Sequence, residues 1–262
     1  MSFRIVDLTA DHLDEYVVCL EDWSDEMKEA GDRKRRWIDR ARAEGLRVKL
    51  ASDEHGTIGG MIQYGPIASS FAAGDGLYFV YCIWVHGHGE GRGNFQGHGM
   101  GKTLLQAAED DARARGARGM AAWGLALPIW MRASWFKRQG YETADRDGLR
   151  SLVWKPFAPE AAPPRWIRRG KVPRAVPGRV TVTSFRHGWC PAQNLVHERA
   201  KRAAAAFDAR VVFRTIDTSE RWRFVEWGIA DALFVDGREV RTGPPPSYEK
   251  IHRLIAKRLK KL

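Results

Sequence analysis

The sequence predicts an α/β protein of two domains, a mixed sheet with flanking helices followed by a smaller α/β domain. Three observations carry this. Strand-like and helix-like patterns alternate along the chain. The alternation breaks once, at residues 156–178, where Pro156, Pro159, Pro163, Pro164, Pro173 and Pro177 crowd together. The charge also divides there. Residues 1–157 hold 21 Lys and Arg against 22 Asp and Glu, a net of −1, whereas residues 158–262 hold 22 against 10, a net of +12. At 262 residues and 44% hydrophobic, the chain has length for two cores and is not of disordered composition. The expected boundaries are a first domain at 1–157, a basic proline-rich linker at 158–178 and a second domain at 179–262.

The elements follow in order. Residues 4–8 read as a short strand, and Thr9 is a good N-cap for a helix over 10–20. A charged helix is expected over 24–44. Residues 46–51 and 57–64 alternate as two strands, with Asp53-Glu54-His55-Gly56 as the turn between them. The run LYFVYCIWV at 77–85 is the best candidate for a central strand. Ten glycine-rich residues precede a helix over 100–115, then a strand over 118–124. A helix over 128–139 closes at Gly140. A last pair of strands is expected at 141–144 and 149–154. Beyond the linker the pattern restarts with a strand over 179–185, a helix over 191–206 and a strand over 210–217. A short helix over 219–227 and a hairpin of 232–235 with 238–241 around Asp236-Gly237 follow. A basic helix over 248–262 ends the chain.

Composition also excludes classes. Cys19, Cys82 and Cys190 are odd in number and far apart, which rules out a disulfide scaffold and a CxxC zinc or redox motif. No apolar run approaches the ~20 residues that span a bilayer. The first residues carry no apolar stretch flanked by cations, so no signal peptide is expected. The expectation is a cytoplasmic protein with no membrane partner. Its oligomeric state is left open.

The most informative stretch runs through Gln96, Gly97, His98, Gly99, Met100, Gly101, Lys102 and Thr103, between the central strand and a helix. Glycines let a backbone approach an anion, and a helix N-terminus offers free N–H groups and a favourable dipole. A Walker A loop needs glycine where Gln96 stands, and a Rossmann fingerprint needs one where Lys102 stands, so both fail. The pattern Gln/Arg-x-x-Gly-x-Gly/Ala fits. It resembles the pyrophosphate loop of the GNAT acyltransferases. With Ile83-Trp84-Val85, Lys155-Pro156-Phe157 and Cys190-Pro191, the chain resembles GNAT proteins that carry a C-terminal YoaP-like, thioredoxin-like domain. Residues 86–95 make the approach to the loop longer and richer in glycine than is usual in that family.

The resemblance implies an N-acyltransferase that moves an acyl group from acetyl-CoA or another acyl-CoA to a small-molecule amine. It implies a donor held at Gln96 to Thr103, with backbone N–H groups around Ile83 and Val85 facing the acyl carbonyl. Many members carry a tyrosine acid four residues before the glycine that ends the last helix. Here that position is Phe136, so the usual acid is absent; a thiolate of pKa ~8.5 leaves with little help. Tyr78, Tyr81 and Cys82 on the central strand are candidates for substrate contact, or else part of an aromatic core strand. Alternation places Tyr81 with Ile83 and Val85, and Tyr78 with Cys82 and Trp84. Glu21, Asp22 and Asp25 are candidate amine ligands or solvated acids. His86, His88 and His98 lie in a glycine-rich run read as a flexible loop, and no metal is expected.

In the second domain, Cys190-Pro191 after a strand looks like a thioredoxin-type turn. Gln193 replaces its second cysteine, so dithiol exchange is not expected. The excess positive charge raises a second reading, an aminoacyl-tRNA donor. Its RNA would lie along Arg165, Arg168, Arg169, Lys171 and Arg174 of the linker and Lys257 and Arg258 of the final helix. A third is a non-catalytic module that holds CoA or a nucleic acid.

Overall fold

The structure is a computed structural model and describes residues 2–127, 130–240 and 244–262, except the side chains at positions 29 and 31. The expected helix start at Pro128 and the last hairpin residue, Arg241, lie outside the described residues. The chain divides into two compact units, Met1–Trp23 with Ile38–Ile167, and Ser24–Trp37 with Arg168–Leu262.

From the start of the chain the elements are β1 (Phe3–Asp7), α1 (Leu13–Val17), α2 (Asp25–Ala43, whose residues to Trp37 count with the second unit), β2 (Arg47–Asp53), β3 (Ile58–Pro66), β4 (Ala72–Ala73) and β5 (Leu77–Val85). They continue with α3 (Met100–Ala114), β6 (Gly119–Leu125), α4 (Ala133–Arg138), β7 (Glu142–Asp147), β8 (Arg150–Pro156) and β9 (Arg165–Trp166). Seven strands form one mixed sheet in the order β1-β2-β3-β5-β6-β8-β7. Only β5 and β6 run parallel, paired from Leu77 with Gly119 to Val80 with Ala122. The helix α3 lays Met100, Leu104, Leu105, Ala108 and Ala112 on the sheet, against Ile62, Val80, Met120 and Ala122, and all nine are buried. Their near-i,i+4 spacing is the reason the segment forms a helix here, since one apolar stripe faces the core.

Three expectations are corrected. The helix expected over 10–20 is a 3-10 turn at Ala10–His12 followed by the short α1. Cys19 and Leu20 take positive φ and end it, with Leu20 N–H donating to Glu15 O (2.8 Å). The helix expected over 128–139 begins at Ala133. Met131 instead takes φ 50°, its carbonyl accepts from Leu125 N (2.7 Å), and Arg132 bridges to Leu125, so the strand rather than a helix satisfies this backbone. Within the stretch read as a linker, β9 pairs with β4, and buried Trp166 donates its backbone N–H to Asp145 Oδ2 (2.9 Å).

The second unit contains β10 (Val180–Arg186), α5 (Pro191–Ala205), β11 (Val211–Asp217), α6 (Arg221–Trp227), β12 (Ala232–Val235), β13 (Arg238–Glu239) and α7 (Tyr248–Leu259). Its sheet runs β11-β10-β12-β13, with β10 and β11 parallel and the other pairs antiparallel. Asp236 and Gly237 both take positive φ, as a two-residue hairpin turn requires. Leu233, Val235, Val196, Ala200, Ile251 and Ile255 close its core.

Candidate functional site

Beyond Val80 and Ala122, β5 and β6 part. The parting coincides with a β-bulge. Gln63 pairs with Cys82 and Tyr64 with Val80, leaving Tyr81 as the extra residue. The bulge overturns the simple alternation expected along this strand. Tyr78, Ile83 and Val85 pack on the α3 side of the sheet, whereas Tyr81 joins Phe71 and Phe79 in an edge-to-face aromatic cluster.

A cleft of about 650 Å³ opens where the strands separate. Its walls are Ile83, Trp84 and Val85 of β5, the loop before α3, and Trp130, Met131, Arg132, Trp135, Phe136 and Arg138. The loop contributes Phe95, Gln96, Gly97, Gly99, Met100, Gly101 and Lys102. Gly97 and Gly99 take φ of 84° and 82°, and Gly99 is the N-cap of α3. A Cβ at either position would meet nothing within 4 Å, so these glycines are required by backbone conformation and leave open space in front of the helix end. The first N–H groups of α3 have no helical partner and point out of its N-terminus. This is the geometry of an anion cradle, and it suits the phosphates of a nucleotide-like donor.

Eight of the ten expected donor-binding residues line the cleft. His98 and Thr103 do not; Thr103 N–H is already turned into the helix, to Gly99 O (3.1 Å). Gln96 has a second task. Its Nε2 donates to Val85 O (3.0 Å) and ties the loop to the end of β5.

The three candidates for substrate contact are not among the cleft's walls. Tyr81 donates its hydroxyl to Ser69 O (2.9 Å) and is 3% exposed. Cys82 is buried near Tyr16, whose phenol donates to Gln63 Oε1 (2.6 Å) and is pushed up by burial and by the nearby Cys19 and Cys82. Tyr78 meets Tyr64 on the α3 side. Phe136 is fully buried, edge-on to both Trp135 and Tyr141, and brings no hydroxyl to the cleft it lines. The aromatic wall at 130–136 escaped the sequence reading. The signal was there in Trp130, Trp135 and Phe136, but helix spacing alone assigns them to a core.

The glycine-rich residues 86–95 form a loop, as expected from their composition, and it is tied down by contacts. His86 is fully buried, its Nδ1 lies 2.7 Å from Gly93 O, and its backbone bonds Gly59 and Phe95. Arg92 reaches Asp22 (2.8 Å), Glu15 (3.0 Å) and Ile58 O (3.3 Å). Burial pushes Asp22 up, but the hydrogen bond and charge of Arg92 outweigh it and hold the carboxyl below the usual range. Asp22 is therefore committed to an ion pair, and Asp25 lies 3.1 Å from Lys28. Trp84 Nε1 and His86 Nε2 are buried with no hydrogen-bond partner among the described residues. No group of three or more His, Cys, Asp or Glu that could hold a metal occurs among the described residues.

In the second unit Cys190 is the N-cap of α5 and buried. Asp231 accepts from His187 N (2.9 Å) and Trp189 Nε1 (2.7 Å) and so fixes the turn before it. Burial pushes the Asp231 carboxyl up to about 6 against these bonds. Of the seven basic residues expected to meet RNA, all but the half-buried Arg258 are exposed. Arg169 pairs with Glu239 (2.8 Å), Lys171 with Glu226, and Arg258 lies 4.0 Å from Asp236. Arg169 also sits over Phe234 and Lys171 over Trp227, so part of the linker's charge holds its own backbone in place. Among the described residues, no helix is long and apolar enough to cross a membrane.

Residues 6–128 match the acetyltransferase (GNAT) family. The matched span holds a GNAT acetyltransferase domain and includes the cleft walls at Ile83–Val85 and within Phe95–Lys102, whereas those at 130–138 lie beyond it. Among solved structures the chain is similar to the PaiA N-acetyltransferase of Thermoplasma acidophilum in complex with coenzyme A. The identity is 19% over 60% of this chain and 100% of that one, with a TM-score of 0.44. It is also similar to the GNAT family N-acetyltransferase YhbS of Escherichia coli in complex with CoA, at 14% identity over 63% and 89% of the two chains and a TM-score of 0.44. A ribosomal-protein-alanine N-acetyltransferase of Brucella melitensis is 20% identical over 59% and 99%, with a TM-score of 0.43. No curated protein sequence matches the chain.

Proposed function

We propose that the first unit transfers an acyl group from acyl-CoA, acetyl-CoA foremost, to an amine of a small molecule. The observation that carries this is the cleft at the end of β5, bounded by a glycine-flanked helix N-terminus, with β5 and that loop lying in the span that matches the acetyltransferase family. Acyl-CoA would supply the activated acyl group as its thioester. Gly97, Gly99 and the first N–H groups of α3 would receive its phosphates, with Lys102 adding charge. Backbone N–H groups at Ile83 to Val85, released where β5 leaves β6, would stabilise negative charge on the acyl oxygen. The indole and phenyl rings of Trp84, Trp130, Trp135 and Phe136 would exclude water and strengthen those contacts. In the transfer a C–N bond forms as the C–S bond breaks, and the amine gives up a proton. Phe136 has no proton to give, so the thiolate would leave unassisted from that position.

Isothermal titration of the full chain with CoA and acetyl-CoA tests the reading. Micromolar to millimolar binding, with heat released at one site per chain, is expected. Failure of both to bind overturns it.

For the second unit we propose a thioredoxin-like arrangement without dithiol chemistry. The support is its element order, its strand order, and Cys190 at the start of α5 with Gln193 in place of a second cysteine. Turnover in an insulin-reduction assay that disappears in Cys190→Ser refutes it. The second reading of the donor, an aminoacyl-tRNA, is supported by the +12 charge of residues 158–262 and the exposed Arg165, Arg168, Arg174 and Lys257.

A further inference from the structure

The parting of β5 and β6 is bridged by one side chain. The last parallel pair is Val80 with Ala122. The next residues are Tyr81, the bulge, and Trp123. Trp123 Nε1 donates to Tyr81 O at 2.7 Å. An indole therefore makes the bond that a continuing backbone ladder would have made, and it stands at the apex of the split. Trp130 meets Trp123 edge-on, with ring centroids 5.1 Å apart, and Trp130 lines the cleft. Trp123 is half-buried behind it, packed against the core of the unit. The cleft thus has two unlike ends. One is polar and glycine-rich at the start of α3. At the other, Trp130 lines the wall, and behind it stands Trp123, which does not itself line the cleft and is pinned by a hydrogen bond.

We propose that Trp123 sets the length of the acyl group, admitting acetyl and excluding chains of about four carbons or more. This rests on the acyl-CoA reading above. With phosphates at the α3 end, the acyl group of such a donor comes to the strand end, where Trp123 and Trp130 stand. A rigid ring bonded to backbone cannot turn aside as an unbonded side chain would. Each extra methylene then meets an indole, and in apolar pockets of fixed size one methylene changes affinity by about 10-fold or more. Without the ring, the space behind Trp130 joins the cleft.

The test is calorimetric and needs no amine. CoA, acetyl-CoA, butanoyl-CoA and hexanoyl-CoA are titrated into the wild type, Trp123→Ala and Trp123→Phe. The wild type is expected to bind acetyl-CoA at least about 10-fold more tightly than hexanoyl-CoA. In Trp123→Ala that gap should close to within about threefold, with CoA itself still bound, and Trp123→Phe should fall between. Because losing an indole empties core space, Trp123→Phe decides the matter should the alanine variant not fold. A wild type that binds hexanoyl-CoA as tightly as acetyl-CoA overturns the inference. So does a folded variant that binds CoA and keeps the wild-type gap. A wild type that binds no CoA at all overturns the acyl-CoA reading, and this inference with it.

Discussion

His86 shows what one side chain does at the end of β5. A carbonyl only accepts, so the short contact to Gly93 O places a proton on Nδ1. With Arg92, this bond converts a run of glycines into an anchored segment. His86→Ala should cost about 1–3 kcal/mol in urea unfolding, because Gly93 O loses its donor. Amide exchange at residues 87–95 should quicken, and unchanged exchange there would refute the role. In the second unit, Asp231 and His197 oppose one another. Burial and then the charges of Arg33 and Arg186 push His197 down to about 4, and it sits 2.9 Å from Ser184 Oγ. The stability of a buried neutral histidine is present above its ordinary 6.5 and is lost as pH falls toward 4. Asp231 has the opposite sign. Its contribution is present below its ordinary 3.8 and is lost as pH rises through about 6. Two shifts of this size amount to up to about 3 kcal/mol each and largely cancel between pH 4 and 6. Asp231→Asn should therefore gain stability with rising pH across that window, and His197→Gln should lose it. Denaturant midpoints at pH 4, 5 and 6 read both, and parallel curves for the two variants would contradict the assignment.

At the scale of the element, α3 and the loop before it form one wall of the cleft. The helix is fixed by its buried stripe, so its N-terminus is held firmly at the cleft while Gly97 and Gly99 turn the chain into it. Gly99→Asp forces an L-residue into φ 82° and sets a carboxylate where phosphates are expected. CoA affinity should drop by more than about 10-fold, since a charge repulsion adds to the strain. Circular dichroism should still report a folded chain. Equal CoA affinity in the variant would remove the loop from the donor site. The β5 strand makes a different point. Its residues were legible as a central strand, yet the bulge at Tyr81 reassigns every side chain before or after it to the other face. Bulges leave no mark in an apolar run, because the extra residue is as apolar as its neighbours.

For the molecule as a whole, the charge split of −1 and +12 is a property of composition. The ion pairs of Arg169, Lys171 and Arg258 consume part of it within the second unit. If the basic half binds tRNA, log affinity should fall linearly with log salt. Replacing Arg165, Arg174 and Lys257 by Ala should flatten that slope by roughly three contacts' worth, and more than replacing the paired Arg169 and Lys171. A gel shift with bulk tRNA across salt measures this. No shift at moderate salt leaves acyl-CoA as the donor reading.

The sequence by itself determined most of the elements and marked the glycine loop. Periodicity placed α2, α3, β5 and the βαβαββα order of the second unit, because apolar spacing follows directly from helix and strand geometry. The glycine spacing marked the loop, because positive φ is a local demand that only glycine meets without strain. What the fold alone decided was where those pieces meet. Whether a tyrosine on β5 faces a cleft depends on a bulge in its pairing with β3. Whether Trp130 belongs to a helix depends on Met131 and Arg132 lying beside β6. That Asp22 is paired depends on Arg92, 70 residues away. Likewise Trp123 reaches Tyr81 across 42 residues of chain, through a gap that exists only because two parallel strands separate. Such contacts are set by long-range pairing, and no local pattern of residue types encodes them.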